Sequence, residues 1–521
     1  MLSTWASIKV LLGTICGSKR MPVVKSFTDG NDVYSVELDD TYILAFLGGA
    51  DVLSVWRGAV TASMGDESDL VLIRGGTVDV EGDGGADRFN FYADVTGVDL
   101  AGGAGDDRFF GYAHTIGGTI HGDAGDDRFY DFGSLSSSSV VLHGGIGNDI
   151  YRVDAAAPVQ MVEHVDEGTD TVEVGGGASF TLATHFENLT VVGAGASAGP
   201  AVLTGNGVRN VIRGGDVVET IAGLDGNDVL FGKGGNDTLW GGNGDDVLDG
   251  GSGDDVLYGE AGNDVFHDGG GADRMVGGSG DDNYFVDSGT DKIVEIGGEG
   301  IDTVRSSAAD YTLSDNVENG VTVGTAAPMY LRGNALNNIL SVSSVRSTLF
   351  GMAGDDRLYG AEQGDRLVGG DGNDFLQGRG GNDVLDGGAG SDVLRGGLGF
   401  DRLDGGLGSD LYVYFSAEEG AGDVLNFKRA IDVLDLSRID ADTSRYGNQA
   451  FTFVDGPTGE AGQLWITYYD RYDGTAFLNR YADIFADIDG DGFADLHLNI
   501  DGGLWDDNWM PVEFLITDIL L

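Results

Sequence analysis

GGNGDDVLDGGSGDDVLY, residues 241–258, is two copies of one nine-residue unit, G-G-x-G-x-D-x-U-x, where U is a large apolar residue. The unit runs without a gap seven times over residues 223–285 and seven times again over 351–413. Its glycines permit the positive φ angles and tight turns that a residue with a Cβ resists, so GGxGxD reads as a turn and xUx as a short strand. Two units make one coil, and the strands of successive coils stack about 4.8 Å apart. The eighth-place residues of the first array, Leu230, Leu239, Leu248, Leu257, Phe266, Met275 and Tyr284, then point inward and form the core. The expected fold is all-β, a parallel β-roll or β-helix solenoid of glycine-rich nonapeptides.

The sixth-place aspartates stack along each edge of such a roll. They are Asp228, Asp237, Asp246, Asp255, Asp264, Asp273 and Asp282 in the first array, and Asp356, Asp365, Asp374, Asp383, Asp392, Asp401 and Asp410 in the second. Carboxylates in rows at strand spacing repel one another unless a divalent cation lies between them. Calcium fits, being a hard ion that takes six to eight oxygens and accepts both carboxylates and the carbonyls of tight turns; magnesium, with its stricter octahedral demand, fits less well. A Gly/Asp-rich disordered linker would share this composition. A linker has no reason, however, to keep an apolar residue two places after every such aspartate, so the expectation is a chain loose without calcium and folded with it.

The 521 residues hold 92 glycines, 6 prolines and 86 acidic against 29 basic side chains, a net charge of −57. That balance argues against nucleic acid and anionic membrane surfaces as partners and for cations. One cysteine, Cys16, excludes an intramolecular disulfide. No apolar run approaches the roughly 18 residues of a membrane-spanning helix. Residues 1–20, MLSTWASIKVLLGTICGSKR, lack a basic n-region and an A-x-A site, and Met21 is an alternative start.

Before the regular arrays lies a looser series, Asp32, Asp51, Asp69, Asp87, Asp107, Asp127 and Asp149, at intervals of 19, 18, 18, 20, 20 and 22 residues. These intervals approximate two units, which implies a degenerate roll keeping one glycine-Asp turn per coil. Calcium there would be one-sided, on Asp87, Asp107, Asp127 and Asp149. A larger duplication is also visible: GNDIYRVD…EGTDTVEV…FENLTVVG…GNGVRNVI from residue 147 recurs as GDDNYFVD…EGIDTVRS…VENGVTVG…GNALNNIL from residue 280. The expected organisation is an extension over 1–27, a degenerate roll over 28–154, a β spacer over 155–222 and a first roll over 223–287. A duplicated spacer over 288–350, a second roll over 351–413 and a β-sandwich-like C-terminal domain over 414–521 follow.

The nonapeptides resemble the haemolysin-type (RTX) calcium-binding repeat. The stretch DVLNF…DVLDLSRIDAD…GNQAFTFV…GEAGQLWITY…DIDGDGFADLHLNI is similar to the C-terminal domain of serralysin-family proteins. This resemblance implies calcium on the sixth-place aspartates and neighbouring turn carbonyls. It also implies an extracellular location and a C-terminal domain, ending here in ITDILL, that is read by a type I secretion apparatus. Extracellular calcium sites have dissociation constants of about 10⁻⁴ to 10⁻³ M, so folding would follow export. The serralysins' H-E-x-x-H motif is missing, because no histidine among His114, His121, His143, His164, His185, His267 and His497 is followed by glutamate. These histidines read as surface or packing residues.

Two weaker motifs remain. Gly195-Ala-Ser197-Ala-Gly199 has the form of a nucleophile elbow, but no helical pattern follows it, and a small-residue turn is the better reading. Asp487, Asp489, Asp491 and Asp495 match the first places of an EF-hand loop, yet Leu498 stands where glutamate is needed, so a hairpin turn is favoured over an extra calcium site. The function expected is a secreted, non-enzymatic calcium-binding structural or interaction protein, acting on an extracellular or cell-surface target. An adhesin or surface-layer component is the main alternative; a polysaccharide-modifying enzyme and a toxin are weaker ones.

Overall fold

The computed structural model describes residues 23–500 and 519–520, apart from 38–40, 114, 133–138, 154–158, 176, 194–198, 326–327, 429–430, 442–448 and 473–476. The chain divides into two compact units, residues 1–252 and 253–521, a division that falls inside the first regular array.

The first unit is a parallel β-solenoid. Along one side, Val33–Val36, Val52–Val55, Leu70–Ile73, Arg88–Phe91, Arg108–Gly111, Arg128–Tyr130 and Ile150–Val153 pair in succession. The ladder continues in parallel register through Thr171–Gly175, Asn188–Val192 and Val211–Arg213 to Val229–Phe231 and Val247–Asp249. Spacer residues 155–222 thus add coils to the same ladder. The opposite side runs from Val23–Ser26 through Thr41–Ala45, Ala59–Ser63, Thr77–Glu81, Val95–Ala104, Ile116–Ala124 and Ser139–Ile146 to Gln160–Val162. A further ladder on Phe180–Thr181, Ala201–Thr204, Glu219–Asp225 and Thr238–Asn243 follows it.

In the xUx triplets of this unit's array the middle residue is buried between half-buried neighbours: Val247–Asp249 buries Leu248 in this way. Leu230, Leu239 and Leu248 are all 0% exposed. In the looser coils Leu53 and Val71 and then a run of aromatic residues fill the same place. Phe89, Phe109, Phe129 and Tyr151 form a buried stack with ring centroids 4.9, 4.9 and 4.8 Å apart, the strand spacing itself.

The second unit repeats this construction. Val265–His267, Asn283–Val286, Thr303–Ser306, Asn319–Thr322, Ile339–Val342, Arg357–Tyr359, Phe375–Gly380, Val393–Leu398, Leu411–Val413 and Val433–Asp435 pair in parallel. Leu257, Phe266, Met275 and Tyr284, and then Leu358, Leu367, Leu376, Leu385, Leu394, Leu403 and Tyr412, are 0% exposed. Past Asp410 both sides continue. Val433–Asp435 takes Ile519–Leu520 as a parallel neighbour. On the other side, Asp423–Asn426 pairs with Leu496–Ile500, which begins an antiparallel run through Phe477–Asp487 to Gln463–Tyr472. The sandwich-like C-terminal region therefore grows out of the roll's own sheets. Among the described residues, no helix is long and apolar enough to cross a membrane.

Candidate metal centres

Each sixth-place aspartate stands one residue before a core strand, so coil stacking places it over the equivalent aspartate of the next coil. Along the rows, backbone N–H groups donate to Oδ1 of the aspartate one coil on. The row begins with Asp32 to Asp51 at 2.6 Å and runs on through Asp69, Asp87, Asp107, Asp127 and Asp149 at 2.6–2.7 Å. Asp228 donates to Asp246, Asp255 to Asp273 and Asp264 to Asp282, each at 2.7 Å, and Glu219 donates to Asp237 at 2.7 Å. The second array carries two such rows. One links Asp356, Asp374, Asp392 and Asp410; the other links Asp365, Asp383 and Asp401. All eighteen expected ligands thus stand buried at the same kind of turn, at most 2% exposed.

These bonds use one carboxylate oxygen. The other, Oδ2, is buried without a hydrogen-bond partner in Asp87, Asp107, Asp127, Asp149, Asp228, Asp273, Asp282, Asp356, Asp374, Asp383, Asp392, Asp401 and Asp410. Asp365 differs, because its Oδ2 accepts the Ala361 N–H at 2.8 Å. A buried carboxylate oxygen with no partner is costly, and the cost appears in the acidities. Loss of water, the largest cause, pushes Asp127 up to about 9 and Asp87 and Asp383 to about 8, with neighbouring carboxylates adding to it and the backbone N–H bond opposing it. The same burial raises Asp107, Asp149, Asp246, Asp282, Asp356 and Asp392 to about 7. Asp228, Asp273, Asp374 and Asp401 rise to about 6.

Two glycines of the unit have separate reasons to be glycine. Gly244, at the fourth place, has φ +127°, and a Cβ there would overlap the Gly226 carbonyl of the coil before. At the first place the reason is space. A Cβ on Gly378 would overlap both Asp383 Oδ2 and the Gly396 carbonyl oxygen, and one on Gly122 would overlap Asp127 Oδ2 and stand 2.5 Å from the Gly144 carbonyl oxygen. The unpartnered carboxylate oxygen and a carbonyl from the next coil therefore converge on a recess that only glycine leaves open. The donors are oxygens, anionic and neutral together, the set that suits calcium. A divalent cation held at these turns would supply the positive charge that the buried oxygens lack. Ion pairs such as Arg152–Glu173 and Arg395–Glu419 stand outside these rows.

The rows also continue beyond the arrays, through residues the repeat pattern does not single out. Asp149 donates to Asp170, which donates to Glu187; Asp282 donates to Asp302, which donates to Glu318. Asn210 and Asn338 occupy the row position just before each array, donating to Asp228 and Asp356 at 2.6 Å. Their Nδ2 groups bond to carbonyls of the preceding coil, those of Phe186 and Glu187 and of Val317 and Glu318. An amide satisfies itself there without a cation. The signal was present in the aligned duplicates, as EGTDTV with EGIDTV, FENL with VENG and VRNVI with LNNIL.

Asp487, Asp489, Asp491 and Asp495 cap a hairpin turn, as expected. Asp487 accepts the N–H groups of Gly490 and Gly492 at 2.7 and 3.0 Å, Asp495 accepts that of Ile488 at 2.6 Å, and the flanking strands are antiparallel. His121 stacks on His143, His267 on Phe285 and His497 on Phe485, with ring centroids 4.5–4.6 Å apart. Residues 194–198, with Ser197, and most of the N-terminal extension and of ITDILL lie outside the described residues.

Comparison with known proteins agrees with this geometry. The family described as RTX calcium-binding nonapeptide repeat (4 copies) matches residues 99–115, then overlapping stretches 213–248, 222–257, 249–284 and 258–293, and finally 332–367, 359–394 and 386–413. Endo-1,3-1,4-beta-glycanase ExsH of Rhizobium meliloti (strain 1021) is 41% identical over 80 residues, 15% of this chain and 16% of that protein's length. Among solved structures, extracellular lipase LipA from Serratia marcescens is matched at 13% identity and a TM-score of 0.15, over 74% of this chain and 68% of that one. Repeated turn, stacked aspartates and matched family converge on one statement: the chain carries RTX calcium-binding nonapeptide repeats, folded as a β-roll, and Ca²⁺ is their ligand.

Proposed function

We propose that this protein is a secreted structural or interaction scaffold that folds when it meets extracellular calcium. The observation that carries the reading is the series of buried aspartates whose second oxygen has no partner. Such rows disfavour the fold wherever calcium is scarce and favour it where calcium is abundant, so folding and location become one event. Sixth-place aspartates and first-place glycine carbonyls are the ligands in this reading. Export by a type I apparatus, through the C-terminal region 414–521, completes it, since such export favours a chain not yet folded. The acidic side chains of the rows are committed to binding cations, which supports a scaffold rather than a catalyst.

The test is expression beside a type I exporter. The full chain is expected in the medium, and a chain shortened to residues 1–413 is expected to stay in the cell while still binding calcium. Export of the shortened chain would remove the secretion role of 414–521. Hydrolysis of a β-1,3-1,4-glucan by the purified protein would overturn the non-enzymatic part.

A further inference from the structure

Asp149, Tyr151, Glu163 and Asp170 recur as Asp282, Tyr284, Glu295 and Asp302, at offsets of 133, 133, 132 and 132 residues. Each set stands where a run of glycine-Asp turns passes into a spacer. One oxygen from each of Asp149, Glu163 and Asp170 lies within 4.8 Å of the others, and Asp282, Glu295 and Asp302 repeat the arrangement. All six are at least nine-tenths buried, Glu163 being 4% and Glu295 7% exposed. The phenol of Tyr151 donates to Oε1 of Glu163, and that of Tyr284 to Oε1 of Glu295. The second oxygen of each glutamate is buried with no hydrogen-bond partner, as is Oδ2 of Asp149 and of Asp282.

The glutamate stands where a regular turn has a carbonyl. At Gly122 the recess is bounded by Asp127 Oδ2 and the carbonyl of Gly144, the first glycine of the next turn. After Asp149 no such glycine follows, and the recess at Gly144 is bounded by Asp149 Oδ2 and Glu163 Oε1 instead. The recess at Gly277 is bounded in the same way by Asp282 Oδ2 and Glu295 Oε1, with the Tyr284 hydroxyl beside them. The end of the second array is an internal control. There Asn426 pairs with Asp404, which makes apolar Phe427 the residue beside Gly405; the Tyr412 hydroxyl donates to the Asn426 backbone carbonyl at 2.7 Å instead, and the three atoms nearest a Cβ on Gly405 all belong to Asp410.

We infer that Asp149, Glu163 and Asp170, and likewise Asp282, Glu295 and Asp302, form two terminal calcium sites, distinct from the nonapeptide sites in taking three carboxylates in place of carboxylate and carbonyl. Tyr151 and Tyr284 are positioning residues: each phenol holds Oε1 of its glutamate in the recess beside Oδ2 of Asp149 or Asp282. More anionic ligands on a buried frame bind calcium more tightly, so these two sites fill first and fix the last coil of each run to the spacer after it. This inference rests on the calcium reading proposed above.

The test is equilibrium dialysis of the full chain against radioactive calcium at pH 7.5, with β structure followed in parallel. Glu163→Gln with Glu295→Gln is expected to bind two fewer ions and to lose the tightest phase, while array folding at high calcium is retained. Tyr151→Phe with Tyr284→Phe keeps every ligand and is expected to keep the ion count but weaken the tightest phase by about tenfold. It also decides the matter if the glutamine variant does not fold. Unchanged count and affinity in the glutamine variant, or unchanged affinity in the phenylalanine variant, would overturn the two sites. If the unaltered chain bound no calcium, the functional reading itself would fall; if it bound calcium and only these variants were silent, this inference alone would.

Discussion

Exchanging Asp374 and Asp392 for Ala and for Asn is expected to give opposite results in the metal-free chain and the same result in the calcium count. These neighbours in one row each hold a backbone N–H on Oδ1 and leave Oδ2 without a partner. Alanine removes both oxygens. It strands the N–H groups of Asp356 and Asp374 and abolishes the ligand, so the calcium midpoint of the second array rises by about tenfold or more, the factor that losing about 1.4 kcal/mol of linked binding gives. Asparagine keeps the oxygen that accepts the N–H bond and turns a donor toward carbonyls, the solution already present at Asn210 and Asn338. The asparagine variant should therefore bind fewer ions yet fold more readily without them. Gly378→Ala is expected to act like the alanine pair, because its Cβ fills the recess between Asp383 and Gly396. Calorimetric ion counts beside chelator-treated melting curves check all three; an asparagine variant less stable than the unaltered chain without calcium would contradict the account.

Acid is expected to stand in for calcium. Burial raises the row aspartates from the ordinary carboxylate range to about 6 for Asp228 and Asp374, about 8 for Asp383 and about 9 for Asp127. A carboxyl whose folded-state pKa is raised binds its proton more tightly folded than unfolded. Its favourable contribution is complete below the unfolded value near 4 and is lost as pH climbs through the folded values, here from about 6 to about 9. The metal-free chain should thus gain β structure when taken from pH 9 to pH 5.5, while its apparent calcium affinity falls over the same interval as protons compete for the same oxygens. Circular dichroism at constant ionic strength with chelator present reads the first effect. No gain on acidification would mean that the rows are not what holds the metal-free chain open.

The solenoid was legible because its pattern is redundant. Every unit states its turn, its inward residue and its acid, so Leu385 in the core and Asp383 in the row follow from the nine-place rule alone. Spacer coils were harder. Their turns carry Glu187 and Glu318 in the same row without a glycine ahead of them, and Asn210 and Asn338 with the first-place Gly205 and Gly333 but no acid, so only the duplicated alignment marks them. Glu163 and Glu295 escaped for a different reason: they lie on the strand side of the coil, 14 and 13 residues after the aspartates they meet, a proximity that coil closure creates and linear spacing conceals. Past Asp410 the change of composition reads as a new domain, although the strands Leu411–Val413 and Val433–Asp435 extend the same parallel ladder.

In the function proposed above, divalent charge at the aspartate rows, and not the thin apolar core, decides whether the arrays fold. Far-UV circular dichroism of the full chain during a calcium titration in chelator-stripped buffer at pH 7.5, with magnesium in parallel, tests it most directly. A cooperative gain of β signal with calcium and little with magnesium is predicted; full β structure before any calcium is added, unchanged by either ion, would contradict it.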